Sequence, residues 1–414
     1  MKRFNLLLCF ALALWGQAEA QEEAWSFEGE LRQQAVYQTN LDFGSESTES
    51  LSQALHRLRL KGSWRPSPGW ELHAGLSSSL ALGSQKPGPN DQDPLYLEEG
   101  WLAVPLGDPK NGSRIKAGRQ LFSFGTGRLV SSRLGPNIPL SFDGLKMEWK
   151  QPGYKVDLFA GSPVKSNNRV FGEVSGRDLL WGAYATRPWN KNHSADFYLL
   201  GTHRSEFPFQ GVKGKEDRYS LGTRLFGSKG PWDYNVELVY QAGRFDSKPI
   251  SAWTIATDNG WTLDQGGWKP RLGLKCDVAS GGDGTHTVRT FHPLYPNFSY
   301  FSEAALISPS NLVDINPSLT LRPTEHQKVV LNWDFLWRYS KADGLYVPPG
   351  VQLFEGKAGS SSRIGDQISL LYQNQVSEST EFEVGFTHFR AGPFLREAGG
   401  RSTTFLVTSW TFQF

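Results

Sequence analysis

Hydrophobic and polar residues alternate along most of the chain, in segments of roughly 9 to 13 residues. In residues 53–65, Leu58 and Leu60 fall on one face of an extended segment, and the basic residues between them fall on the other. Residues 232–243 and 328–339 repeat this pattern. A period of two is typical of a β-strand whose two faces lie in different surroundings. Because aromatic residues also lie near the segment ends, the pattern predicts strands that cross a membrane.

The connections between these segments alternate between short turns and long polar loops. The short connections are rich in proline and glycine, which favour tight turns, and comprise residues 66–69, 151–153, 227–230 and 323–326. The long connections comprise residues 38–52, 83–94, 121–141, 162–178, 281–311 and 340–362. Short turns at one end and long loops at the other are typical of outer-membrane barrels. The sequence therefore predicts an all-β fold, a transmembrane antiparallel β-barrel of about 18 strands.

The first 20 residues have the three parts of a secretion signal. Lys2 and Arg3 precede an apolar stretch over residues 6–15, and the small residues Ala18 and Ala20 mark a cleavage site. The apolar stretch is too short to span a bilayer, which favours a cleaved signal over an anchor helix. We therefore predict a signal peptide at residues 1–20 and a barrel domain at residues 21–414.

The last segment is the most specific barrel signal in the sequence. One face carries Thr404, Leu406, Thr408, Trp410, Phe412 and Phe414. A terminal strand of this kind leaves an unpaired edge unless it pairs with another strand, and residues 25–37 are the expected partner because this pairing closes the barrel. The aromatic end at Phe414 also resembles the signal read by the outer-membrane assembly machinery. These features predict location in the bacterial outer membrane.

The sequence contains no GxSxG, GxxxxGK[ST], HExxH or GxGxxG motif, and Cys276 is the one cysteine after the signal peptide. We therefore expect no catalytic residue, cofactor or metal ion. A lipid hydrolase centred on His388 is the enzymatic alternative, since it requires a serine–histidine pair. Without Lys2, Arg3 and Glu19, the chain carries 41 basic and 40 acidic residues. This balance gives no support for nucleic-acid binding.

Basic residues are concentrated on the strand faces that point into the predicted barrel. The alternation places there Arg57, Arg59, Lys61, Arg114, Lys116, Lys146, Arg218, Arg224, Arg271, Lys275 and Arg338. Acidic residues on the same faces are Glu148, Asp157, Glu237, Asp277 and Asp334. Two interpretations are open. The charges pair and merely fill the interior, or the fixed cations concentrate anions and line an anion-conducting pore.

Several motifs resemble those of the alginate export family of outer-membrane proteins. They are GRQLFSFGTGRLV at 118–130, GPN at 135–137, FDGLKM at 142–147, DLFAGSPV at 157–164, PRLGLKCDVASGGDG at 270–284, FHPLYP at 291–296, NLVDINPSLTLRPT at 311–324, WDFLWR at 333–338 and FTHFRAGPFLRE at 386–397. The motifs keep their order over most of the chain. The resemblance implies a monomeric barrel with an electropositive constriction, through which an anionic uronate polysaccharide passes from the periplasm to the exterior.

The pore-lining residues of that family are mostly arginines, with some acids. On matching motif positions, the resemblance implies this role for Arg119, Arg128, Arg133, Asp143, Arg271, Asp277, Arg338 and Arg396. Arg119 has the parity of an outward-facing residue, so its place in the pore requires a bulge near Phe122 or a loop that folds inward.

Together, the inward charge and the resemblance predict a channel for passive diffusion of anions, which exports an acidic, alginate-like polysaccharide. A general or nutrient-uptake porin on the same barrel is the alternative. The expected partners are outer-membrane lipid, the anionic polysaccharide or small anions, the assembly machinery and a periplasmic export partner.

Overall fold

A computed structural model of the chain describes residues 24–45, 48–84, 87–166, 170–171, 173–174, 176–263 and 267–414. The predicted signal peptide lies outside these ranges. Within them, 18 long antiparallel strands pair in chain order, and the last pairs with the first. The predicted all-β transmembrane barrel of about 18 strands is therefore confirmed.

The barrel strands are β1 (Trp25–Gln38), β2 (Leu51–Trp64), β3 (Glu71–Leu82), β4 (Asp93–Pro105), β5 (Arg114–Leu121), β6 (Ser141–Gln151), β7 (Tyr154–Lys165), β8 (Asp178–Asn190), β9 (His193–Phe209), β10 (Val212–Lys229), β11 (Trp232–Phe245), β12 (Lys248–Thr262), β13 (Arg271–Ala279), β14 (Leu312–Leu321), β15 (Gln327–Arg338), β16 (Arg363–Ser377), β17 (Thr380–Ala391) and β18 (Thr403–Gln413). Leu345–Val347 and Val351–Phe354 form a separate hairpin. The short helix α1 (Pro393–Glu397) lies between β17 and β18. No helix in the described part of the chain is both long and apolar enough to cross a bilayer.

The alternation of side chains sorts each strand into an outer and an inner face. On β2, Leu58 and Leu60 are 38% and 46% exposed, whereas Arg57 and Arg59 are buried. Successive residues of a strand point to opposite faces of the sheet. The apolar residues therefore cover the outside of the barrel, where a bilayer would solvate them, and the charged residues face the lumen.

Pairing between β1 and β18 closes the barrel, as the terminal pattern predicts. The register runs from Glu30 opposite Gln413 to Gln38 opposite Phe405. Beyond β18, the N–H and carbonyl of Phe414 exchange hydrogen bonds with Gly29 at 3.0 and 2.7 Å. These bonds satisfy backbone groups that an open edge would leave unpaired in lipid.

The connections follow the predicted alternation except at two places. Residues 280–311 form one loop, as predicted, with no strand in it. However, β9 and β10, and then β11 and β12, are joined by two-residue turns at the end of the barrel where long loops were expected. At the first of these turns Gln210 and Gly211 have φ values of 49° and 77°, as tight hairpins require. Because β9 and β10 are 17 and 18 residues long, the extended strands themselves replace a loop.

Two loops at the extracellular end fold into the barrel: loop A (residues 122–140) and loop B (residues 280–311). They meet in a parallel β-bridge between Val130 and Tyr295. The N–H of Tyr295 also donates to the carbonyl of Leu129 at 2.8 Å. The two loops therefore support each other inside the lumen.

Aromatic residues fix loop A against the inner wall of the barrel. Phe122 stacks on Phe142 with ring centroids 4.9 Å apart, and Phe124 stacks on Phe159 at 4.4 Å. Leu294 of loop B belongs to the same buried cluster. This apolar core fills part of the lumen, so the space left for a solute is much narrower than the barrel.

Candidate functional site

The predicted cations of β2 face the lumen and meet carboxylates of neighbouring strands. Arg57 and Arg59 approach the carboxylate of Glu30 on β1 at 2.7 and 3.3 Å. The Nε of Arg59 also donates to both oxygens of Glu98 on β4, at 3.0 Å each. Lys61 lies 3.6 Å from Glu98. Each of these cations is therefore charge-paired across the inner wall.

The same arrangement recurs on the wall formed by β9 to β13. Arg218 is fully buried and its guanidinium lies 2.9 Å from Glu216. Arg224 lies 2.9 Å from Asp196 on β9, and Arg271 lies 2.6 and 3.1 Å from two further aspartates. All three arginines occupy the lumen side, as the alternation predicts, and all three are paired with carboxylates.

Loop A brings Arg128 close to Asp277, although the two residues belong to different motifs of the sequence. The guanidinium of Arg128 lies 3.0 Å from Asp277 and 3.1 Å from Glu237, and it also donates to the hydroxyl of Tyr300 in loop B. Burial acts to lower the pKa of Arg128, but the charges of Asp277 and Glu237 outweigh it and raise the pKa. Arg128 therefore stays charged and fastens loop A to β11 and β13.

Arg133 lies in loop A and has no carboxylate within ion-pair distance in the described part of the chain. Its Nε donates to the carbonyl of Pro296 at 3.0 Å, and its guanidinium lies 4.3 Å from the ring centroid of Phe298. Burial lowers the pKa of Arg133 to about 9. The contacts join loop A to loop B and leave Arg133 buried between them.

The two expected pore residues at the extracellular end differ in exposure, and Arg338 does not line open space. Arg338 is 2% exposed and donates to five carbonyl oxygens of loop C (residues 339–362). Arg396 is exposed on α1 and donates to the carbonyl of Ala391 at 2.6 Å. Phe394 and Leu395 are the buried residues of α1, and Arg396 lies on its exposed side. That Arg396 lines the pore stays a prediction.

The resemblance implies that Arg119 and Asp143 line the pore, but both lie on the outer wall. They form a two-fold contact, with Nε to Oδ1 at 2.7 Å and Nη2 to Oδ2 at 2.8 Å. The register between β5 and β6 is continuous and pairs Arg119 with Asp143, so no bulge moves either residue inward. Leu145, which shares their parity, is 58% exposed on the lipid-facing side. The pair therefore faces outward.

Sequence reasoning missed several carboxylates and one aromatic residue of the inner wall. Glu30 follows the alternation of β1 and could have been found in that way. Glu98 and Glu99 are adjacent, yet both are buried, because the register between β3 and β4 shifts next to Gly75. Tyr300 comes from loop B, whose path inside the barrel has no signature in the sequence.

The enzymatic alternative finds no support at His388. This residue is exposed on the outside of β17, and its Nδ1 lies 2.9 Å from the hydroxyl of Thr404. In the described ranges, no serine makes a hydrogen bond with it. The arrangement is a cross-strand contact on the lipid-facing surface and lacks the expected serine.

Solved structures of outer-membrane porins share the fold. OccK11 (OpdR) of Pseudomonas aeruginosa has a TM-score of 0.61 and 11% identity, covering 96% of this chain and 98% of its own. OpdK of the same organism, solved with vanillate, has a TM-score of 0.59 and 12% identity, covering 94% and 99%. A BenF-like porin from Pseudomonas fluorescens Pf-5 reaches 0.63 at 11% identity, covering 95% and 99%. At these identities the likeness concerns the fold.

The sequence itself gives a more specific assignment. No match was found among curated protein sequences. The alginate export family, by contrast, matches residues 24–409, which is nearly the whole chain. This match agrees with the closed barrel and its charged lumen. The chain is an outer-membrane channel that belongs to the alginate export family.

Proposed function

We propose that the channel prefers anions and exports an acidic, alginate-like polysaccharide by passive diffusion across the outer membrane of a bacterium. The observation that carries the proposal is the family match over residues 24–409. We further propose that it acts as a monomer surrounded by outer-membrane lipid, is inserted by the assembly machinery and receives polymer from a periplasmic partner.

The inner wall supports this function through the way its charges are paired. Fixed cations raise the local concentration of anions in a narrow, poorly screened space. Carboxylates beside them, such as Glu98 next to Arg59, reduce the attraction that each cation exerts. Transport requires many weak sites instead of one tight site, because every unit of the polymer must leave each position that it enters.

Recordings of single channels in planar bilayers test the proposal. In a KCl gradient, the reversal potential is expected to show that chloride passes more easily than potassium. Oligouronates added to one side are expected to interrupt the current, whereas neutral oligosaccharides of the same length leave it unchanged. A preference for potassium, or a current that oligouronates do not affect, would contradict the proposal.

Uptake of small carboxylates is the second candidate, and the narrowed lumen favours it. Loops A and B meet inside the barrel at the bridge between Val130 and Tyr295, which restricts the width available to a polymer. One structure of similar fold, OpdK, was solved with vanillate, a small aromatic carboxylate. Swelling of proteoliposomes separates the two candidates. Entry of monomeric carboxylates without any block by oligouronates would favour uptake over export.

A further inference from the structure

Two arginines surround a single carboxylate on the outer wall of the barrel, at the extracellular ends of β16 and β17. Asp366 on β16 lies directly opposite Arg390 on β17, and the Nε and Nη2 of Arg390 donate to its Oδ1 at 3.2 and 2.9 Å. The Nη2 of Arg363 donates to the same oxygen at 3.3 Å. Because Ile368, two residues further along β16, is 42% exposed on the lipid-facing side, Asp366 and the opposite Arg390 also face outward.

A shift of register brings Arg363 to the same face. The alternation of β16 assigns the outward position to Ile364, but this residue is buried. The pairing between β15 and β16 skips one residue here, so that Arg363 lies opposite Trp337. The guanidinium of Arg363 is 4.6 Å from the ring centroid of Trp337 and 5.5 Å from that of Phe335. An irregularity of this kind re-aims a side chain, and here it adds a second cation to the outer wall.

This cluster carries more positive than negative charge. The side chains of Arg363 and Arg390 are 28% and 67% exposed, whereas that of Asp366 is 9% exposed. Among the described residues, no other carboxylate lies within 4.0 Å of either arginine. The outer-wall pair of Arg119 and Asp143, by contrast, matches one cation with one carboxylate. The cluster therefore retains an uncompensated positive charge on a surface where such a charge is costly unless a partner from outside neutralises it.

Aromatic residues place the cluster at the level of lipid headgroups. Trp333 is 45% exposed on the outer wall, and its indole N–H donates to Asp366 at 3.4 Å. Tyr339, at the start of loop C, is 47% exposed. Tryptophan and tyrosine are enriched at the interface between membrane and water. Towards the membrane centre, Ile368 and Leu370 continue the outer face of β16 with exposed apolar side chains. A lipid beside β16 therefore has its headgroup at the arginines and its acyl chains against these apolar residues.

Phosphate is the headgroup chemistry that two guanidinium groups suit. Arginine binds phosphate through charge-assisted hydrogen bonds that are stronger than those between neutral groups, and basic pockets at the membrane surface bind phosphorylated lipids. The outer leaflet of a bacterial outer membrane consists largely of a glycolipid whose sugar headgroup carries phosphates. We propose that Arg363 and Arg390 bind a phosphate of this outer-leaflet lipid, which supplies the negative charge that Asp366 alone does not provide. The site lies outside the lumen and is independent of the transported solute.

Native mass spectrometry of the detergent-purified barrel tests the proposal. The protein is titrated with diphosphorylated lipid A and with the same lipid after enzymatic removal of its phosphates. Wild type is expected to bind the phosphorylated form at least about tenfold more tightly. The double variant Arg363→Gln and Arg390→Gln is expected to lose most of this preference. Arg177→Gln, on an exposed arginine at the same end of the barrel with a glutamate of its own, is the matched control and is expected to bind like wild type.

Asp366→Asn separates lipid binding from a merely structural role of the two arginines. Because this variant removes the competing carboxylate, it is expected to bind the phosphorylated lipid at least about threefold more tightly than wild type. Equal binding of both lipid forms by wild type, or an unchanged preference in the double variant, would overturn the proposal, as would dimers of the barrel in place of lipid adducts. Heat-modifiable electrophoretic mobility verifies that each variant is folded. If the double variant does not fold, binding by Asp366→Asn that is no tighter than that of wild type overturns the site.

Discussion

At the scale of single residues, the Arg119–Asp143 pair lies on the surface where an unpaired charge is most costly. Both side chains are on the outer wall, and two contacts of 2.7 and 2.8 Å hold them together. A lone charge on the lipid-facing side destabilises a barrel to a degree that depends on its depth in the bilayer. The pair therefore protects the barrel wall and has no contact with a solute in the lumen.

Neutralising Asp143 is expected to reveal the energetic cost of an unpaired charge on the outer wall. Asp143→Asn is expected to lower the free energy of unfolding in lipid vesicles by about 1–3 kcal/mol, because Arg119 keeps its charge and loses its acceptor. Urea titrations followed by tryptophan fluorescence measure the change. Glu378→Gln, in the exposed turn after β16, is the control. Equal stability of Asp143→Asn and wild type would show that the pair is solvated.

Glu303 predicts a pH dependence of selectivity. Its pKa of about 7 lies above that of a free carboxyl because of burial and the neighbouring Glu383, while Arg32 acts in the opposite direction. Glu303 is protonated at lower pH, so raising the pH through about 7 adds a negative charge to loop B inside the barrel. The ratio of chloride to potassium permeability is expected to fall over this range.

The reversal potential at pH 6 and pH 8, taken as about one unit on either side of that pKa, measures the effect. Glu303→Gln is expected to remove most of the pH dependence, and Glu355→Gln, on an exposed residue of loop C, is expected to retain it. An identical pH profile in Glu303→Gln and wild type would assign the dependence to other groups.

Much of the inner wall could be predicted residue by residue. Arg57, Arg59 and Arg224 face the lumen because the period of two in a strand leaves no other choice once the apolar face meets lipid. Glu99 could not be placed, since a shift of register has no local signature. The exposure of Arg396 could not be predicted for another reason: the resemblance of its motif contains no information about which side of α1 is buried.

At the scale of elements, charged, backbone and apolar contacts fix the position of loop A in the lumen. Arg128 ties it to Asp277 and Glu237, and the bridge between Val130 and Tyr295 ties it to loop B. The aromatic stacking around Phe122 adds an apolar anchor. Because loop A and loop B narrow the lumen together, their anchors determine the width of the pore.

Removing the ion pairs that Arg128 forms with Asp277 and Glu237 is expected to change conduction. Arg128→Gln leaves Asp277 and Glu237 without their counter-ion, so loop A moves more freely, and single-channel conductance is expected to become larger and more variable. Arg128→Lys keeps a charge but loses the two-fold contact, and an intermediate effect is expected. Lys357→Gln, on an exposed residue of loop C, is the control. Unaltered conductance and noise in Arg128→Gln would show that the other contacts of loop A hold it without this ion pair.

The strands could be predicted much better than the loops. Counting strands back from the last strand predicts a loop over residues 281–311, because it leaves no place for another pair. The inward fold of loops A and B could not be foreseen, because it depends on packing between residues far apart in sequence, such as Phe122 and Phe142. The two-residue turn at Gln210 could not be predicted either, because β9 and β10 continue as strands where the alternation predicts a long loop.

At the scale of the whole molecule, a closed barrel with a paired, charged lumen suits a solute that is itself a chain of charges. Closure between β1 and β18 leaves lipid-facing apolar residues outside and charged residues inside. Partly exposed cations of the inner wall, such as Lys61 and Arg271, can attract carboxylates of such a solute, whereas the fully buried Arg218 stabilises the wall. Passage of a polyanion is therefore the central proposal for this channel.

Escape of a labelled polyuronate from proteoliposomes tests that property most directly. Vesicles that contain the channel are loaded with fluorescent polyuronate and with a neutral dextran of similar length in a second colour. The polyuronate is expected to escape faster than from vesicles without the channel, while the dextran is retained. Retention of both polymers, or equal escape of both, would contradict an anion-selective path for a polysaccharide.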